Sequence, residues 1–197
     1  MPLNYYDWFL CDSDENYRLI KEKNIPIIAQ APFKGGEIVK NLFPEMEELL
    51  KKEYGKTPLQ TALDFVNDKE PEIILTGCSQ LSTLMEVEKA HKNYTSLISY
   101  DPIINALDIY KKKKFIPCLL CERCQEVCPV NIKLPLFIAM YNKTLQNKES
   151  YFESLSLIKH FEKEPINNCT WCGCCVNVCP LRLDIPSKLK DIFELRP

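Results

Sequence analysis

The order of apolar and polar residues divides the chain into two parts near residue 100. In the first part, short apolar segments typical of strands alternate with segments whose apolar residues recur every three or four positions, as in amphipathic helices. The predicted strands span residues 3–9, 25–29 and 73–75, and a predicted helix follows each of them. This alternation favours parallel strands joined by right-handed crossovers.

Three helices of the first part have recognisable beginnings. Asp12 or Ser13 is suited to cap a helix that runs to about residue 23. Thr57 is suited to the N-cap and Pro58 to the first position of a second helix, and a third helix follows Gly77. The apolar residues of the second helix keep the spacing of one buried face; they are Leu59, Ala62, Leu63 and Val66. Leu81, Leu84 and Met85 mark the third helix.

The second part is predicted to be helical wherever it carries no cysteine. One apolar stripe is formed by Leu134, Ile138, Tyr141 and Leu145, and another begins with Tyr151, Leu155 and Ile158. A short last helix is predicted to start at Pro186 and to pack through Leu189 and Ile192.

Eight of the 11 cysteines form one pattern twice. The spacing C-x2-C-x2-C-x3-C-P is made by Cys118, Cys121, Cys124, Cys128 and Pro129, and again by Cys169, Cys172, Cys175, Cys179 and Pro180. This spacing is typical of ferredoxins with two 4Fe-4S clusters, in which the fourth cysteine of each run binds the cluster of the other run. The predicted ligands are Cys118, Cys121, Cys124 and Cys179 for a first centre and Cys169, Cys172, Cys175 and Cys128 for a second centre.

Zinc and disulfides are the alternatives for closely spaced cysteines. Structural zinc sites use separated pairs of cysteines and need neither a third cysteine in the run nor a following proline. Disulfides are rare in the cytoplasm, which is the expected location because no apolar, positively flanked signal segment is recognised. Cys11, Cys78 and Cys174 remain, and Cys174 is predicted not to bind iron because only Cys175 keeps the spacing of the first run.

Composition narrows the classes of partner. The chain has 197 residues, is 46% apolar and carries a net charge of -2, which predicts neither nucleic-acid nor membrane binding. No apolar stretch approaches the roughly 20 residues of a membrane span. A redox partner protein is expected instead. The lysines at residues 111–114 form either a solvated helix end or a docking patch for an acidic electron donor.

Three segments of the first part resemble the ends of the last three strands of an aldo/keto reductase. They are Leu3-Asn4-Tyr5-Tyr6-Asp7, Pro32-Phe33-Lys34-Gly35-Gly36 and Leu75-Thr76-Gly77-Cys78-Ser79. One branch of that family carries a two-cluster ferredoxin after the barrel, with a tail like residues 128–135 here.

The resemblance implies an α/β partial (β/α)8-barrel fragment over residues 1–99. A mainly α-helical ferredoxin domain with two 4Fe-4S clusters would follow over residues 100–197. The long separation of the cysteine runs favours that helical form by analogy with known ferredoxins.

The resemblance also implies a remnant of a nucleotide site. Gly35, Gly36, Gly77 and Ser79 match the positions where the family cradles phosphate, although the glycines could equally be turn residues with positive φ. Gln30 and Val87 stand where many members have a nicotinamide-stacking tyrosine and an adenine-contacting asparagine, so NAD(P) binding is not expected. The family's catalytic residues come from earlier strands. No catalytic residue is therefore assigned here, and whether the chain is an enzyme stays open.

The function predicted from these features is electron transfer through two 4Fe-4S clusters, in the C-terminal portion or a subunit of an aldo/keto reductase-like oxidoreductase. A separate N-terminal barrel polypeptide would supply the missing strands and cover the exposed sheet edges of a three-strand fragment. The alternatives are a stand-alone ferredoxin-like electron carrier and a truncated, inactive reductase fragment.

Overall fold

The computed structural model describes residues 1–146 and 168–194. The chain divides into two compact units, Met1–Lys111 and Lys112–Pro197, and both are mainly helical over their described residues. The predicted helix that begins at Tyr151 lies outside the described residues. None of the described helices combines the length and the apolar character needed to cross a membrane.

The first unit alternates helices with two very short strands. In chain order its elements are α1 (Tyr5–Leu10), α2 (Ser13–Glu22), β1 (Ile28–Ala29), a 3-10 turn (Lys34–Gly36), α3 (Pro44–Tyr54), α4 (Pro58–Asn67), β2 (Ile73–Ile74), α5 (Leu81–Lys92) and α6 (Asp101–Lys112). Helix α6 ends one residue beyond the division between the units.

The strands pair in parallel, as the alternation of elements predicts. Ile28 lies opposite Ile73, and a parallel bridge joins Pro2 to Gln30 on the other side of β1. One face of this small sheet is covered because Ala29 is buried and Ile74 packs on residues of α4 and α5. On the opposite face, Ile28, Ile73 and Leu75 are 44–50% exposed.

The predicted strand at residues 3–9 is wrong, because most of this segment is helix α1. The Asn4 side chain accepts a hydrogen bond from the backbone N–H of Asp7 at 2.8 Å and so caps the helix. Only the residues before it are extended, and the Leu3 N–H donates to the carbonyl of Gln30 at 2.9 Å. The strand preference of the aromatic residues that follow is overridden by this cap and by the burial of Tyr5 and Tyr6.

The boundary between the units lies later in the chain than the predicted boundary after residue 99. Helix α6 belongs to the first unit, where Ile103 and Leu107 are buried. The Tyr110 ring lies 5.6 Å from the Tyr6 ring and 5.5 Å from the Phe43 ring, measured between centroids. These aromatic contacts hold the helix in the first core.

Helix α4 confirms its predicted beginning, and α5 confirms the helix predicted after Gly77. Thr57 accepts a hydrogen bond from the N–H of Gln60 at 3.2 Å, and Pro58 is the first helical residue. In α5, Val87 and Ala90 are buried. The three apolar residues that mark this helix in the sequence are largely exposed: Leu81 by 72%, Leu84 by 49% and Met85 by 61%.

The described residues of the second unit form two long helices and two short ones. These are α7 (Arg123–Glu126), α8 (Leu134–Gln146), α9 (Cys174–Asn177) and α10 (Ile185–Glu194). Helices α8 and α10 share a core that confirms the predicted packing of their apolar residues, with Leu134, Ile138, Tyr141, Leu189 and Ile192 all buried. The Asn142 side chain exchanges two hydrogen bonds with the backbone of Ile116, at 2.9 and 2.8 Å, and so fixes the segment before the first cysteine run.

Candidate metal centres

The two cysteine runs fold in the same way. In the first run Leu120 and Glu122 adopt left-handed backbone conformations, with φ of 53° and 62°. At the matching positions of the second run, Trp171 has a φ of 56° and Gly173 a φ of 75°. Left-handed residues turn the chain sharply, so the first two cysteines of each run lie on one curved loop, and the third lies in the short helix that follows it.

The hydrogen bonds that follow each loop are also duplicated. A four-residue helix follows in both runs, α7 in the first and α9 in the second. The fourth cysteine of each run donates its N–H to the carbonyl three residues earlier, at 3.2 Å. Its own carbonyl accepts a hydrogen bond from the N–H three residues later, at 3.0 Å. Each run therefore forms one structural unit, built twice.

A small cavity lies at the first loop and gathers the four predicted ligands of the first centre. Cys118, Cys121 and Cys124 line it together with Cys179, which comes from the other run. The remaining wall includes apolar side chains and two prolines. These apolar and proline residues are Leu119, Pro135, Ile138, Pro180, Leu181, Leu183 and Ile185.

A second cavity gathers the four predicted ligands of the second centre. Cys169, Cys172 and Cys175 line it, and Cys128 joins them from the first run. The wall again includes apolar residues, which are Pro129, Val130, Ile132, Leu134, Trp171, Pro186 and Leu189. The eight cysteines of the pattern are therefore divided between two cavities, three from one run and one from the other in each case.

The chemistry of these donor sets fits a cationic group. Burial raises the pKa of the Cys124 thiol to about 11, and the neighbouring Cys118 and Cys121 raise it further by repulsion. Burial likewise raises the pKa of Cys175. Several thiolates crowded in an apolar cavity are stable only when positive charge offsets their repulsion and desolvation. Iron bound by all four sulfurs would supply that charge.

Backbone N–H groups already point at two of the predicted ligand sulfurs. The N–H of Leu120 donates to the Cys118 sulfur at 3.4 Å, and the N–H of Ile132 donates to the Cys128 sulfur at 3.3 Å. Such bonds stabilise negative charge on sulfur and shift the potential of an iron-sulfur cluster. One of these sulfurs belongs to each cavity.

Cys174 also lines the second cavity, at the position that Arg123 occupies in the first. Cys11 and Cys78 line neither cavity. Within residues 1–146 and 168–194, no three His, Cys, Asp or Glu side chains converge closely enough to hold a single metal ion.

The lysines at residues 111–114 include two that contact carboxylates. Lys111 lies 3.0 Å from Asp108, and Lys114 lies 3.0 Å from Asp191. Both pairs have exposed lysines, which fits the solvated helix end as well as it fits a docking patch.

A wide cleft in the first unit brings together all the residues predicted to contact phosphate. Gly35, Gly36, Gly77 and Ser79 line it, with Lys40, Lys56 and Lys89 among the other lining residues. The turn interpretation is confirmed for Gly35 and Gly36, whose φ values are 66° and 97°, whereas Gly77 has no positive φ. The residue before helix α5, Gln80, forms no side-chain cap, so the N-terminus of this helix lacks that partner.

Sequence reasoning missed a buried ion pair beside this cleft. The Lys34 ammonium lies 2.6 Å from the Asp7 carboxylate and 4.5 Å from the centre of the Tyr6 ring. Lys34 is therefore engaged within the core. The sequence contains one indirect indication of this pair. Asp7 and Lys34 stand in two of the segments that resemble strand ends of the reductase family, and such strand ends meet at the same edge of a barrel.

No protein-family model, no curated protein and no solved structure matches this chain.

Proposed function

We propose that this chain binds two 4Fe-4S clusters and transfers electrons between redox partners. The observation that carries the proposal is the division of the eight cysteines between two cavities, each with three sulfurs from one run and one from the other. The C-x2-C-x2-C-x3-C-P spacing supports this same crossed arrangement independently. A protein with two unrelated zinc knuckles has no reason to exchange its fourth cysteines.

When bound, the clusters would accept and release single electrons, and the protein would control how easily they do so. The eight cysteine thiolates would hold the iron. The apolar walls of both cavities would limit the access of water, and the N–H groups of Leu120 and Ile132 would stabilise charge on sulfur. Solvent access and hydrogen bonds to sulfur are the main protein terms that set the potential of such clusters.

Paired substitutions test the crossed ligand sets. Cys124 and Cys179 belong to the same set, so Cys124→Ala combined with Cys179→Ala should still leave about four irons per chain. Cys124 and Cys128 belong to different sets, so Cys124→Ala combined with Cys128→Ala should leave almost none. Iron and acid-labile sulfide are measured after anaerobic purification.

Equal loss of iron in both double variants would contradict the crossed sets. A retained cluster in the Cys124 and Cys128 double variant would instead indicate that each run binds its own cluster. Stoichiometric zinc in the unaltered protein would contradict the proposal as a whole.

We further propose that the first unit is part of an aldo/keto reductase-like barrel. Three extended segments pair in parallel, helices cover one face of them, and the other face exposes Ile28, Ile73 and Leu75. In a (β/α)8 barrel the outer face of each strand meets a helix and the inner face packs in the barrel core. A polypeptide that carries the other barrel strands would cover this exposed face.

Association with such a polypeptide distinguishes a reductase subunit from a stand-alone carrier. Co-expression with the first five βα units of an aldo/keto reductase barrel should give a complex on gel filtration. The Ile73→Lys substitution should weaken that complex, because it places a charge on the face to be covered. A protein that remains separate in both cases would support the stand-alone electron carrier.

The cleft of the first unit is a second candidate site, for an anion such as phosphate. Its support is the convergence of Gly35, Gly36, Gly77 and Ser79 with the uncapped start of helix α5. Isothermal titration with NADPH and with inorganic phosphate tests it. Binding should disappear in Ser79→Asp, which adds a negative charge, and should persist in Ser99→Asp. Absence of heat with either ligand would leave the glycines as turn residues.

A further inference from the structure

The second cavity contains a fifth cysteine that a four-thiolate ligand set does not use. Cys174 lines this cavity together with Cys128, Cys169, Cys172 and Cys175. It follows Cys172 by two residues in the chain, and both line the cavity. Both Cys172 and Cys174 are exposed, so neither is held in place by dense packing.

The first cavity offers an internal comparison. Arg123 occupies the position that matches Cys174, as the first residue of the short helix that follows each loop. Arg123 also lines its cavity, but a guanidinium group carries no lone pair that is free to bind iron. The two centres therefore have the same fold, but only the second has a cysteine at this position.

We infer that Cys174 is a reserve ligand of the second centre that can take the place of Cys172. This inference rests on the proposed function, because it requires a cluster in the second cavity. Replacement of Cys172 needs only side-chain rotation, since both side chains are exposed and line the same cavity. Replacement of Cys175 would need a rotation of helix α9, because consecutive helical side chains point about 100° apart.

Cys172 is also the one exposed ligand of this set, since Cys128, Cys169 and Cys175 are each partly buried. An exposed ligand is the one whose bond to iron solvent can reach. Cys172 is therefore the ligand for which a reserve is useful.

The exchange is balanced without any redox reagent. The bond between the Cys172 sulfur and its iron breaks, and the Cys174 sulfur forms a bond to the same iron. The proton of the Cys174 thiol passes to the released Cys172 sulfur. No electron is gained or lost.

Iron content and EPR of the full chain test this inference. With about eight irons in the unaltered protein, Cys172→Ala should keep about eight and show altered g-values for one centre. Cys172→Ala combined with Cys174→Ala should fall to about four irons. The matched control Cys121→Ala, whose neighbour is Arg123, should also fall to about four.

A gain-of-function variant completes the test even where Cys172→Ala folds poorly. Arg123→Cys, introduced into the Cys121→Ala protein, should restore iron from about four to about eight per chain. The inference is overturned if Cys172→Ala loses as much iron as Cys121→Ala does, or if Arg123→Cys restores none. Either result would leave the proposed function standing, whereas an unaltered protein without iron would remove both.

Discussion

Asp64 shows how a single buried charge organises the first unit. Its carboxylate is fully buried and lies 2.6 Å from the Lys56 ammonium and 2.7 Å from the side-chain nitrogen of Gln60. Lys56 also donates to the hydroxyl and the carbonyl of Thr95, at 2.6 and 3.1 Å. One lysine thus connects the start of helix α4 with the segment after helix α5.

Removal of this lysine should destabilise helix α4 strongly. Lys56→Met leaves the Asp64 carboxylate buried without its counter-charge, which costs about 3–5 kcal/mol. Hydrogen exchange of the α4 amides, followed by mass spectrometry, should show a matching loss of protection. Lys92→Met breaks the exposed pair with Glu88 and should leave protection almost unchanged, because water and salt screen this pair. Equal effects of the two substitutions would contradict the assigned role of Asp64.

Single cysteine substitutions distinguish ligands from the extra thiol. Cys124→Ser should remove one cluster, because Cys124 is a buried member of the first set. Cys174→Ser should leave both clusters in place, because the second set is complete without it. The visible absorption of the anaerobic protein, scaled to its iron content, measures the difference. Loss of a cluster in Cys174→Ser would overturn the ligand assignment.

At the scale of single residues, the sequence predicted which cysteines line each cavity but did not predict the buried ion pairs. Cysteine spacing predicts ligands because iron-sulfur chemistry restricts the residue type and its separation along the chain. The pairing of Asp7 with Lys34 joins residues 27 positions apart, and no local sequence pattern predicts it. Such pairs depend on how elements meet in three dimensions.

The duplicated loop is the main feature at the scale of elements. Each copy places a bulky residue, Leu120 or Trp171, in a left-handed conformation that costs about 1–2 kcal/mol for a residue with a side chain. Strain of this kind persists at sites that clamp a ligand. Two residues further on, the copies differ: the first has Glu122 and the second has Gly173, again with positive φ.

Exchange of the residue types at this position should change stability in opposite directions. Gly173→Ala should destabilise the protein by roughly 1 kcal/mol through backbone strain alone, because no atom lies within 4 Å of the added Cβ. Glu122→Gly should stabilise it by a similar amount. The melting temperature of the anaerobic protein should shift by about 2–4 °C in each direction.

Gly77 provides the control for these substitutions. It also has open space around the added Cβ but no positive φ, so Gly77→Ala should change the melting temperature little. If Gly173→Ala behaved like Gly77→Ala, the left-handed loop conformation would be contradicted.

Elements with strong local signals were predicted well and those without were not. Helix α4 has an N-cap and a proline, and α8 has a regular apolar stripe, so both were predicted near their true positions. Helix α1 was predicted as a strand because its aromatic residues favour strands, whereas the Asn4 cap decides the outcome. Helices α3 and α6 were not predicted, although α3 begins with Pro44 and ends at Gly55.

At the scale of the whole molecule, the sequence predicted two regions of different architecture but placed their division too early. The first unit extends through most of α6 because Tyr110 packs against Tyr6 and Phe43, a contact between residues far apart in the chain. The parallel order of the extended segments was predictable from the alternation of strands and helices. One face of the sheet leaves apolar side chains exposed, and this is the face that the proposed barrel strands would cover.

The central claim is that the two cavities each hold a 4Fe-4S cluster. Iron and sulfide analysis of the anaerobically purified protein, with EPR of its dithionite-reduced form, tests this claim most directly. The account predicts about eight irons and about eight sulfides per chain, with a reduced signal split by coupling between two neighbouring clusters. Stoichiometric zinc with little iron, or no bound metal after reconstitution with iron and sulfide, would contradict it.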